Sequence, residues 1–357
     1  MATYAPDLPQ SMKAVHWTKV GNPAHILTLD ENLPLPVPTG TNVLVKMHAS
    51  SINPLDWKLM KGAFPRFLMP KVKTPGLDIS GVVVGLGPNV GKSRKASVQT
   101  FTIGDRVMAM LDLSKPGALQ DYTLVDESLL IKTPDEWTDP QAAAFPLVGT
   151  TVYQALVVSA KVKKGDKVLI NGASGGTGTV AVQIATALGA SVVGVCSKTN
   201  ADLVRRLGAE EVVDYNTTKV HEKYTNKDFD IIFDAVSNPE CYANSGKLLK
   251  STGHYIQITG PEDSMYSLVG GLHLGAQIVG RVLYSFLTRG PRFHLVSVSP
   301  NGEHLAAATH IMVRANAKTT IELTYSFDLR GVLGAVALSQ SGHAKGKIGI
   351  IVPGHES

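Results

Sequence analysis

The chain has 357 residues, of which 44% are hydrophobic and 18% are charged, and its formal net charge is +5 with a pI near 9.0. This composition supports a large folded core and excludes a disordered chain, and the length suits two domains of roughly 100–200 residues each. The basic residues are scattered apart from short clusters such as Lys92 to Lys95, so the positive charge does not indicate a nucleic-acid-binding protein.

The cysteines and the N-terminus indicate the cellular setting. Cys196 and Cys241 are the only cysteines, too few for a four-cysteine zinc site, and we expect two reduced thiols in a reducing compartment. The first fifteen residues lack the apolar segment of a secretory signal and the arginines of a transit peptide. We therefore predict a cytoplasmic location, with an organelle as the alternative.

The first third of the chain is predicted to be β-rich. Runs of β-branched residues at 42–50 and 79–87 are bounded by turn residues, and a further run follows a Gly-Asp turn at 104–105. The polar and basic segment 91–100 is expected to be an exposed loop.

A helix and then a new pattern follow. Asp139 is predicted to cap a helix that has Pro140 at its first position. From Lys163 onward, short apolar strands alternate with helices: we expect strands at 167–174, 191–197, 210–215, 228–237 and 253–260, and helices at 178–190 and 200–209. This alternation implies right-handed βαβ units on a parallel sheet. The β-rich end, 345–354, is expected to return to the first domain as an added strand.

One apolar stretch is long enough to cross a membrane. Residues 264–287 exceed the span of about 20 residues that a bilayer requires. However, Arg281, His273, Gln277 and four glycines interrupt the stretch, and a central arginine costs about 2.5–3.5 kcal/mol on insertion. We therefore predict a buried helix, a cleft lining or a subunit interface, and keep peripheral membrane contact as the less favoured alternative.

The run NGASGGTG at 171–178 is the strongest motif. It departs from a strict GxGxxG pattern, but it lies directly between a predicted strand and a predicted helix. Glycines in this position allow a tight turn and the approach of a pyrophosphate to backbone N–H groups at a helix N-terminus. We therefore predict that a dinucleotide binds at Gly172, Ser174, Gly175, Gly176, Thr177 and Gly178. The alternative is a structural turn that binds nothing.

The end of the next strand indicates which nucleotide binds. An NAD site usually has an acidic residue about 20 residues after the glycines, to hold the ribose 2′-hydroxyl. Here Ser197 and Lys198 follow the strand, and the first acid is Asp202. A hydroxyl and an ammonium suit a 2′-phosphate, so we predict NADPH, with a solvated loop charge at Lys198 as the alternative. Tyr215, which closes the third strand, is predicted to stack on the adenine, with a place in the core as the alternative.

Segments over nearly the whole chain are similar to one family. They lie at 51–64, 75–87, 104–110, 145–156, 168–185, 196–215, 230–236 and 342–352. On these segments the chain resembles the zinc-free, quinone-oxidoreductase-like branch of the medium-chain dehydrogenase/reductase superfamily. The block 196–215 is most similar to reticulon-4-interacting and chloroplast-envelope quinone oxidoreductase homologues.

The resemblance implies an α/β protein with two domains. A GroES-like β-rich catalytic domain is expected from residues 1–147 and 299–357. A Rossmann domain, built on a doubly wound parallel sheet, is expected from residues 148–298, with the active site in the cleft. The resemblance also implies a monomer or a homodimer.

The resemblance also bears on metal content. Zinc-dependent relatives place cysteine and histidine at a catalytic metal, whereas here Asp78 stands where a histidine would be expected. The four cysteines of a structural zinc lobe are missing as well. We therefore expect no metal in the reaction.

Without a metal, hydride delivery to an enone requires hydrogen-bond donors that stabilise the developing enolate oxygen. The resemblance assigns Asn53 and Lys58 to the substrate carbonyl, and places Thr150 and Thr151 beside the nicotinamide, the first as a catalytic and the second as a cofactor-binding residue. In the alternative interpretation, Lys58 pairs with Asp56 at the surface and the threonines serve helix packing.

We therefore predict an NADPH-dependent oxidoreductase that transfers a hydride to quinones or to the C=C bond of α,β-unsaturated carbonyls without zinc. Lys347, in the segment GKIG near the C-terminus, completes the expected cofactor-binding residues. The expected partner is a small-molecule quinone or enone. Two alternatives stay open: a trans-acting enoyl reductase on carrier-bound chains, and a non-catalytic NADPH-binding interaction protein.

Overall fold

The computed structural model describes residues 2–64, 69–92, 99–258, 268–287 and 290–353. The chain divides into two compact units. Unit 1 contains Met1–Thr150, Ser299–Ala307 and Lys318–Ser357, and unit 2 contains Thr151–Val298 and Ala308–Ala317. Each unit has its own main sheet, described separately below.

The described strands are, in chain order, β1 (Thr3–Tyr4), β2 (Ser11–His16), β3 (Thr28–Pro34), β4 (Asn42–Ile52), β5 (Asp78–Leu86), β6 (Arg106–Met110), β7 (Tyr122–Asp126), β8 (Ile131–Lys132), β9 (Lys167–Asn171), β10 (Ser191–Cys196), β11 (Glu211–Asp214), β12 (Phe229–Asp234), β13 (Leu249–Gln257), β14 (Arg292–Leu295), β15 (Ile321–Ser326) and β16 (Lys347–Ile351).

The described α-helices are α1 (Pro23–Ile26), α2 (Pro54–Met60), α3 (Asp139–Ala143), α4 (Pro146–Val152), α5 (Gly176–Ala187), α6 (Ala201–Arg206), α7 (Val220–Lys223), α8 (Pro239–Ala243), α9 (Ser245–Leu248), α10 (Leu268–Leu287), α11 (Gly302–Arg314) and α12 (Leu329–Gln340). A π-helix, Tyr153–Ser159, continues α4, and one 3₁₀ turn, Lys198–Asn200, leads into α6.

Unit 1 is built on an eight-stranded sheet in the order β15-β16-β4-β5-β6-β8, with β1 paired to β5 and β7 paired to β4. The C-terminal strand β16 pairs antiparallel with β4, so the prediction that the chain end returns as an added strand is confirmed. The alternating apolar residues of β4 and β5 enter one core, in which Val45, Met47 and Ile79 are fully buried.

Unit 2 is built on six parallel strands in the order β11-β10-β9-β12-β13-β14. In chain order this is the 3-2-1-4-5-6 arrangement of a doubly wound sheet, whose direction of winding changes between β9 and β12. The predicted α/β class and Rossmann sheet are therefore confirmed. The central strands β9, β10 and β12 are mostly apolar and buried, because both faces of a parallel sheet are covered.

The start of α3 differs from the prediction. Thr138, not Asp139, is the N-cap, because the Thr138 hydroxyl accepts from the Gln141 backbone N–H while the Gln141 side chain accepts from the Thr138 N–H. Asp139 instead lies in the core of unit 1, where its carboxylate accepts from Arg106 at 2.9 Å and contacts His48 at 2.8 Å. These two partners hold the pKa of Asp139 well below its usual range despite its burial.

Three other predictions fall partly outside the described residues, one of them the strand 253–260, of which residues 259 and 260 are not described. Of the proposed loop 91–100, residues 93–98 are not described, and of the apolar stretch 264–287 the first four residues are not described. The described remainder of that stretch is the helix α10. Among the described helices, none is both long and apolar enough to cross a membrane.

Candidate functional site

A buried polar network in unit 1 joins two of the predicted site residues. Asn53, Lys347 and Asp78 are 2%, 3% and 0% exposed. The Asn53 amide donates to an Asp78 carboxylate oxygen at 2.8 Å and accepts from the Lys347 ammonium, which also lies 3.3 Å from Asp78. This pattern fixes the orientation of the Asn53 amide, because a lysine can only donate.

Asp78 connects this network to the helix that carries the predicted threonines. Its second carboxylate oxygen accepts from the Leu147 N–H at 2.6 Å, in the first turn of α4, and its first oxygen also accepts from the Ser51 hydroxyl at 2.6 Å. A single carboxylate thus fixes three chain segments: the end of β4, the start of α4 and the start of β16. Sequence reasoning used Asp78 only as a missing metal ligand.

Thr150 lies on α4 and is fully buried. Its hydroxyl has no hydrogen-bond partner among the described residues, and an unpaired buried hydroxyl is uncommon in a folded protein. Thr151, the next residue, is 5% exposed and has a polar partner. Helix packing, the alternative role, therefore leaves the Thr150 hydroxyl without a hydrogen bond among the described residues. The hydroxyl can still donate to a ligand or accept from one.

Asp56 and Lys58 both lie on α2, but they differ in burial. Asp56 is 3% exposed and accepts from the backbone N–H groups of Asn53 at 2.7 Å and Gly76 at 2.8 Å. Burial raises the pKa of Asp56 to about 6, and the nearby charge of Asp78 adds to the rise. Because Asp56 is inside the fold, the alternative of a surface pair with Lys58 is wrong.

Lys58 itself is half-buried in the last turn of α2, with its ammonium 5.5 Å from the centre of the Trp57 ring. Its predicted role at a substrate carbonyl stays a prediction, as does the predicted contact of Lys347 with the cofactor.

The glycine run of unit 2 forms the turn between β9 and α5. Gly172 has φ of +80°, a conformation that side chains disfavour, and a Cβ atom at Gly178 would lie 2.0 Å from the Gly172 carbonyl oxygen. These two glycines are therefore needed by the turn itself. Gly175 differs, because a Cβ atom there would meet nothing closer than the same oxygen at 3.5 Å.

Gly175 is the N-cap of α5 and makes no side-chain capping bond. The backbone N–H groups in the first turn that follows, at Gly176, Thr177 and Gly178, have no carbonyl partner within the helix. Such groups, together with the positive end of the helix dipole, form a favourable site for a phosphate. The packing of the turn would tolerate a side chain at Gly175. The glycine at this position instead leaves room beside the N–H donors.

A second buried carboxylate, which sequence reasoning missed, fixes this turn. Asp234, at the end of β12, accepts from the Asn171 amide at 3.0 Å and from the Tyr255 hydroxyl at 2.6 Å. Burial raises its pKa. Asp234 joins the ends of β9, β12 and β13 at the point where the winding of the sheet reverses, the usual place for a ligand in such a sheet.

The residues predicted to select the nucleotide lie at the same edge of the sheet. Ser197 and Lys198 follow β10, and Tyr215 follows β11, its parallel neighbour. Lys198 is exposed, and Tyr215 is 59% exposed, so the alternative of a core tyrosine is wrong. Asp202 lies in the first turn of α6, where it pairs with Arg205 at 3.0 Å.

Asn200 is a further residue of this edge that sequence reasoning missed. Its amide nitrogen donates to the Ser174 hydroxyl at 3.1 Å, which ties the glycine turn to the turn that bears Ser197 and Lys198. The Asn200 side-chain oxygen is buried and has no partner among the described residues. The signal in the sequence is an asparagine four residues after the end of β10.

Metal-ligating side chains are not grouped in the described parts of either unit: within them, no three His, Cys, Asp or Glu residues are placed to hold one ion. Both cysteines are buried as free thiols, and burial raises the pKa of Cys196 to about 11 and that of Cys241 to about 12. Neither thiol is therefore a reactive thiolate at neutral pH.

The doubly wound sheet and its glycine turn define a dinucleotide-binding class of protein, and the comparisons with known proteins agree. Residues 39–135 match the alcohol dehydrogenase GroES-like domain, and residues 176–289 match the zinc-binding dehydrogenase family. The chain is 31% identical to the chloroplast envelope quinone oxidoreductase homolog of Arabidopsis thaliana, over 88% of this chain and 91% of that protein.

Two further proteins extend the comparison. The trans-enoyl reductase pgmF of Aspergillus terreus is 30% identical, over 96% of this chain and 97% of its own. The solved structure of the quinone oxidoreductase from Coxiella burnetii superposes with a TM-score of 0.79 at 26% identity, covering 96% of this chain and 99% of that one. The chain therefore belongs to the medium-chain dehydrogenase/reductase superfamily, in its quinone-oxidoreductase-like branch. Membership implies an oxidoreductase with a nicotinamide cofactor and a small-molecule substrate.

Proposed function

We propose that this protein is an NADPH-dependent reductase of quinones or of the C=C bond of α,β-unsaturated carbonyls, and that it works without zinc. The observation that carries the proposal is the turn after β9. There Gly175 leaves open space beside the first N–H groups of α5, which have no carbonyl partner within the helix. The similarity to quinone oxidoreductases supports the substrate class.

Unit 2 supplies the groups for the cofactor. The N–H groups of Gly176, Thr177 and Gly178 would hold the pyrophosphate. Ser197 and Lys198 would hold the 2′-phosphate, for which a hydroxyl and a cation are suitable partners and a carboxylate is not. When bound, NADPH supplies the hydride.

Tyr215 would provide a face for the adenine, since its exposed ring lies at the same edge of the sheet. Gly172 and Ser174 would hold the turn in the shape that binds the pyrophosphate. Gly172 does so by its positive φ, and Ser174 by accepting a hydrogen bond from Asn200. Thr151 and Lys347 complete the proposed cofactor contacts.

Unit 1 supplies the groups for the substrate. The Asn53 amide has two N–H bonds, of which one is used by Asp78, so the other is available to a carbonyl oxygen. The Lys58 ammonium and the Thr150 hydroxyl would be further donors for the enolate oxygen that develops during reduction. The pairing of Lys347 with Asp78 keeps the amide of Asn53 in the orientation that this role requires.

The test is NADPH oxidation against a quinone, a short 2-enal, a cyclic enone and an enoyl thioester, with NADH in parallel. We expect turnover with NADPH, and the fastest substrate then identifies the chemistry. Stoichiometric NADPH binding without turnover on any of the four would contradict the proposed reductase and support the binding-protein alternative.

The cofactor preference is tested by Lys198→Asp. A carboxylate in place of the ammonium repels the 2′-phosphate, so the preference for NADPH over NADH should fall by at least about tenfold. Lys227→Asp is the matched control, because Lys227 is also exposed in unit 2 but precedes β12, at the opposite edge of the sheet. An unchanged preference in Lys198→Asp would overturn the assignment.

A second candidate is a trans-acting enoyl reductase, which the similarity to pgmF over nearly the full length of both chains supports. The enoyl thioester in the substrate panel distinguishes it from the first. The predicted cytoplasmic location stays a prediction, since one similar protein is named for the chloroplast envelope.

A further inference from the structure

Two turns at one edge of the sheet in unit 2 carry the groups proposed for the phosphates of NADPH. The glycine turn leads into α5, whose first N–H groups follow the N-cap Gly175. The second turn, residues 197–200, follows β10 and carries Lys198; we call it the β10 turn. Because both phosphates belong to one ligand, the separation of the two turns determines how well both can be held at once.

The β10 turn is closed on itself. The Asn200 backbone N–H donates to the Ser197 carbonyl oxygen at 2.9 Å, and the hydroxyl oxygens of Ser197 and Thr199 are 3.0 Å apart. Lys198 therefore lies on a short loop whose two ends are bonded to each other. A contact that holds Asn200 in place also holds the backbone that carries the Lys198 ammonium.

The side chain of Asn200 makes such a contact with the glycine turn. Its amide nitrogen donates to the Ser174 hydroxyl at 3.1 Å. Ser174 directly precedes the N-cap Gly175, and Asn200 follows Lys198 by two residues. The bond therefore joins the two turns close to the groups that would bind the two phosphates.

The N-terminus of α6 does not use Asn200 in the usual way. Asn200 is the N-cap of α6, a position at which asparagine commonly accepts from a backbone N–H of the first turn. Here its side chain makes no capping bond and instead contacts a residue 26 positions earlier. Loss of this side chain should therefore leave α6 intact and act on the spacing of the two turns.

We propose that Asn200 is a positioning residue for the cofactor. Its amide fixes the β10 turn against the glycine turn, so that the pyrophosphate donors and Lys198 are held at the separation that NADPH requires. This inference rests on the proposed NADPH site. A ligand that reaches only one turn is not affected by their separation, whereas a ligand that reaches both loses affinity when the separation is no longer fixed. The bond thereby contributes to the selection of NADPH over NADH, which lacks the 2′-phosphate.

The test uses three fragments of NADPH, whose binding to the full chain is measured by isothermal titration calorimetry. 5′-AMP reaches the glycine turn, 2′-AMP reaches the β10 turn, and 2′,5′-ADP reaches both. Asn200→Ala should lower the affinity for 2′,5′-ADP about fivefold to tenfold, within the range that one neutral hydrogen bond allows. The affinity for each monophosphate should change by less than about twofold. A merely structural role would weaken the binding of all three fragments alike.

Ser174→Ala removes the other partner of the bond and should reproduce this pattern. The double variant should lose no more affinity for 2′,5′-ADP than the larger single loss, because both substitutions remove the same bond. Asn226→Ala is the matched control, since Asn226 is exposed in unit 2 and precedes β12 at the opposite edge of the sheet; it should bind like the wild type. Thermal melting of each variant should show a Tm change below about 4 °C.

Two outcomes would overturn the proposal. In the first, the wild type binds 2′,5′-ADP more tightly than 5′-AMP, but Asn200→Ala lowers the affinity for all three fragments by a common factor or for none of them. The NADPH site would then stand without this role of Asn200. In the second, the wild type binds 2′,5′-ADP no more tightly than 5′-AMP, which would remove the proposed NADPH site and the role of Asn200 together.

Discussion

Replacing Lys347 by methionine tests whether the buried network of unit 1 is held by its ion pair. Methionine keeps the length of the side chain and removes the charge. Lys347 is 3% exposed and its partner Asp78 is fully buried, so the substitution leaves a carboxylate without its cation inside the fold. Removal of one partner from a buried pair costs about 3–5 kcal/mol.

The contacts of Asp78 set the size of the effect. Asp78 keeps hydrogen bonds from Ser51, Asn53 and Leu147 after the substitution, so we expect the lower end of that range, about 3 kcal/mol. For a unit of roughly 200 residues, each kcal/mol moves the Tm by about 2–4 °C. The Tm of unit 1 should therefore fall by about 6–12 °C.

The assay is scanning calorimetry of the full chain, with NADPH affinity measured by fluorescence. Lys345→Met is the matched control, because Lys345 is exposed two residues earlier, and it should change the Tm by less than about 2 °C. Addition of Asp78→Asn to Lys347→Met should recover about 2 kcal/mol, since the unpaired charge is then removed.

Two results would refute this reasoning. One is a Tm change below about 2 °C for Lys347→Met, together with additive effects of the two substitutions. The other is an unchanged Tm with a large loss of NADPH affinity, which would mean that the ammonium serves the cofactor and not the network.

Three further predictions concern the glycine turn and the buried titratable groups. Gly178→Ala should lower the stability of unit 2 by about 1–3 kcal/mol, because its Cβ atom would lie 2.0 Å from a carbonyl oxygen, whereas Gly175→Ala should keep the Tm and weaken NADPH binding; equal Tm losses would contradict this distinction. The pKa of Asp56 is raised from 3.8 to about 6, so its contribution to stability is complete below pH 3.8 and is lost as the pH rises through 6. Asp56→Asn should therefore remove about 3 kcal/mol of pH-dependent stability in urea titrations between pH 4 and 7, and parallel curves would refute it. Burial lowers the pKa of both His254 and His294, whose rings are hydrogen-bonded at 2.9 Å. Their contribution to the free energy of unfolding therefore falls as the pH drops below 6.5. His294→Gln should flatten this part of the curve of stability against pH relative to the wild type.

The elements of unit 2 could be predicted because their signals are local. Alternating strands and helices, and a glycine run between a strand and a helix, are properties of about ten neighbouring residues. The residues at the end of β10 could be predicted for the same reason, since Ser197 and Lys198 follow the strand directly. The N-cap of α3 was placed one residue late because the capping box of Thr138 and Gln141 was overlooked in favour of Asp139 next to a proline.

The polar networks could not be predicted, because their members are far apart in the chain. Lys347 and Asn53 are separated by 294 positions, and Leu147 and Asp78 by 69. No periodicity or spacing links such residues, and a carboxylate in a strand does not show which donors surround it. Asp234 was missed for the same reason, since its partner Asn171 is 63 positions away.

The sequence by itself determined the class of fold, the glycine turn and the residue types at the nucleotide edge, because each follows from local chain geometry and from charge. Only the tertiary structure decided that Asp78 and Lys347 fix the amide of Asn53, that Asp56 is buried, and that one face of α10 is exposed. Burial and partner identity depend on which distant segments fold against each other, and these decide whether a given charge is stabilised, neutralised or left at the surface.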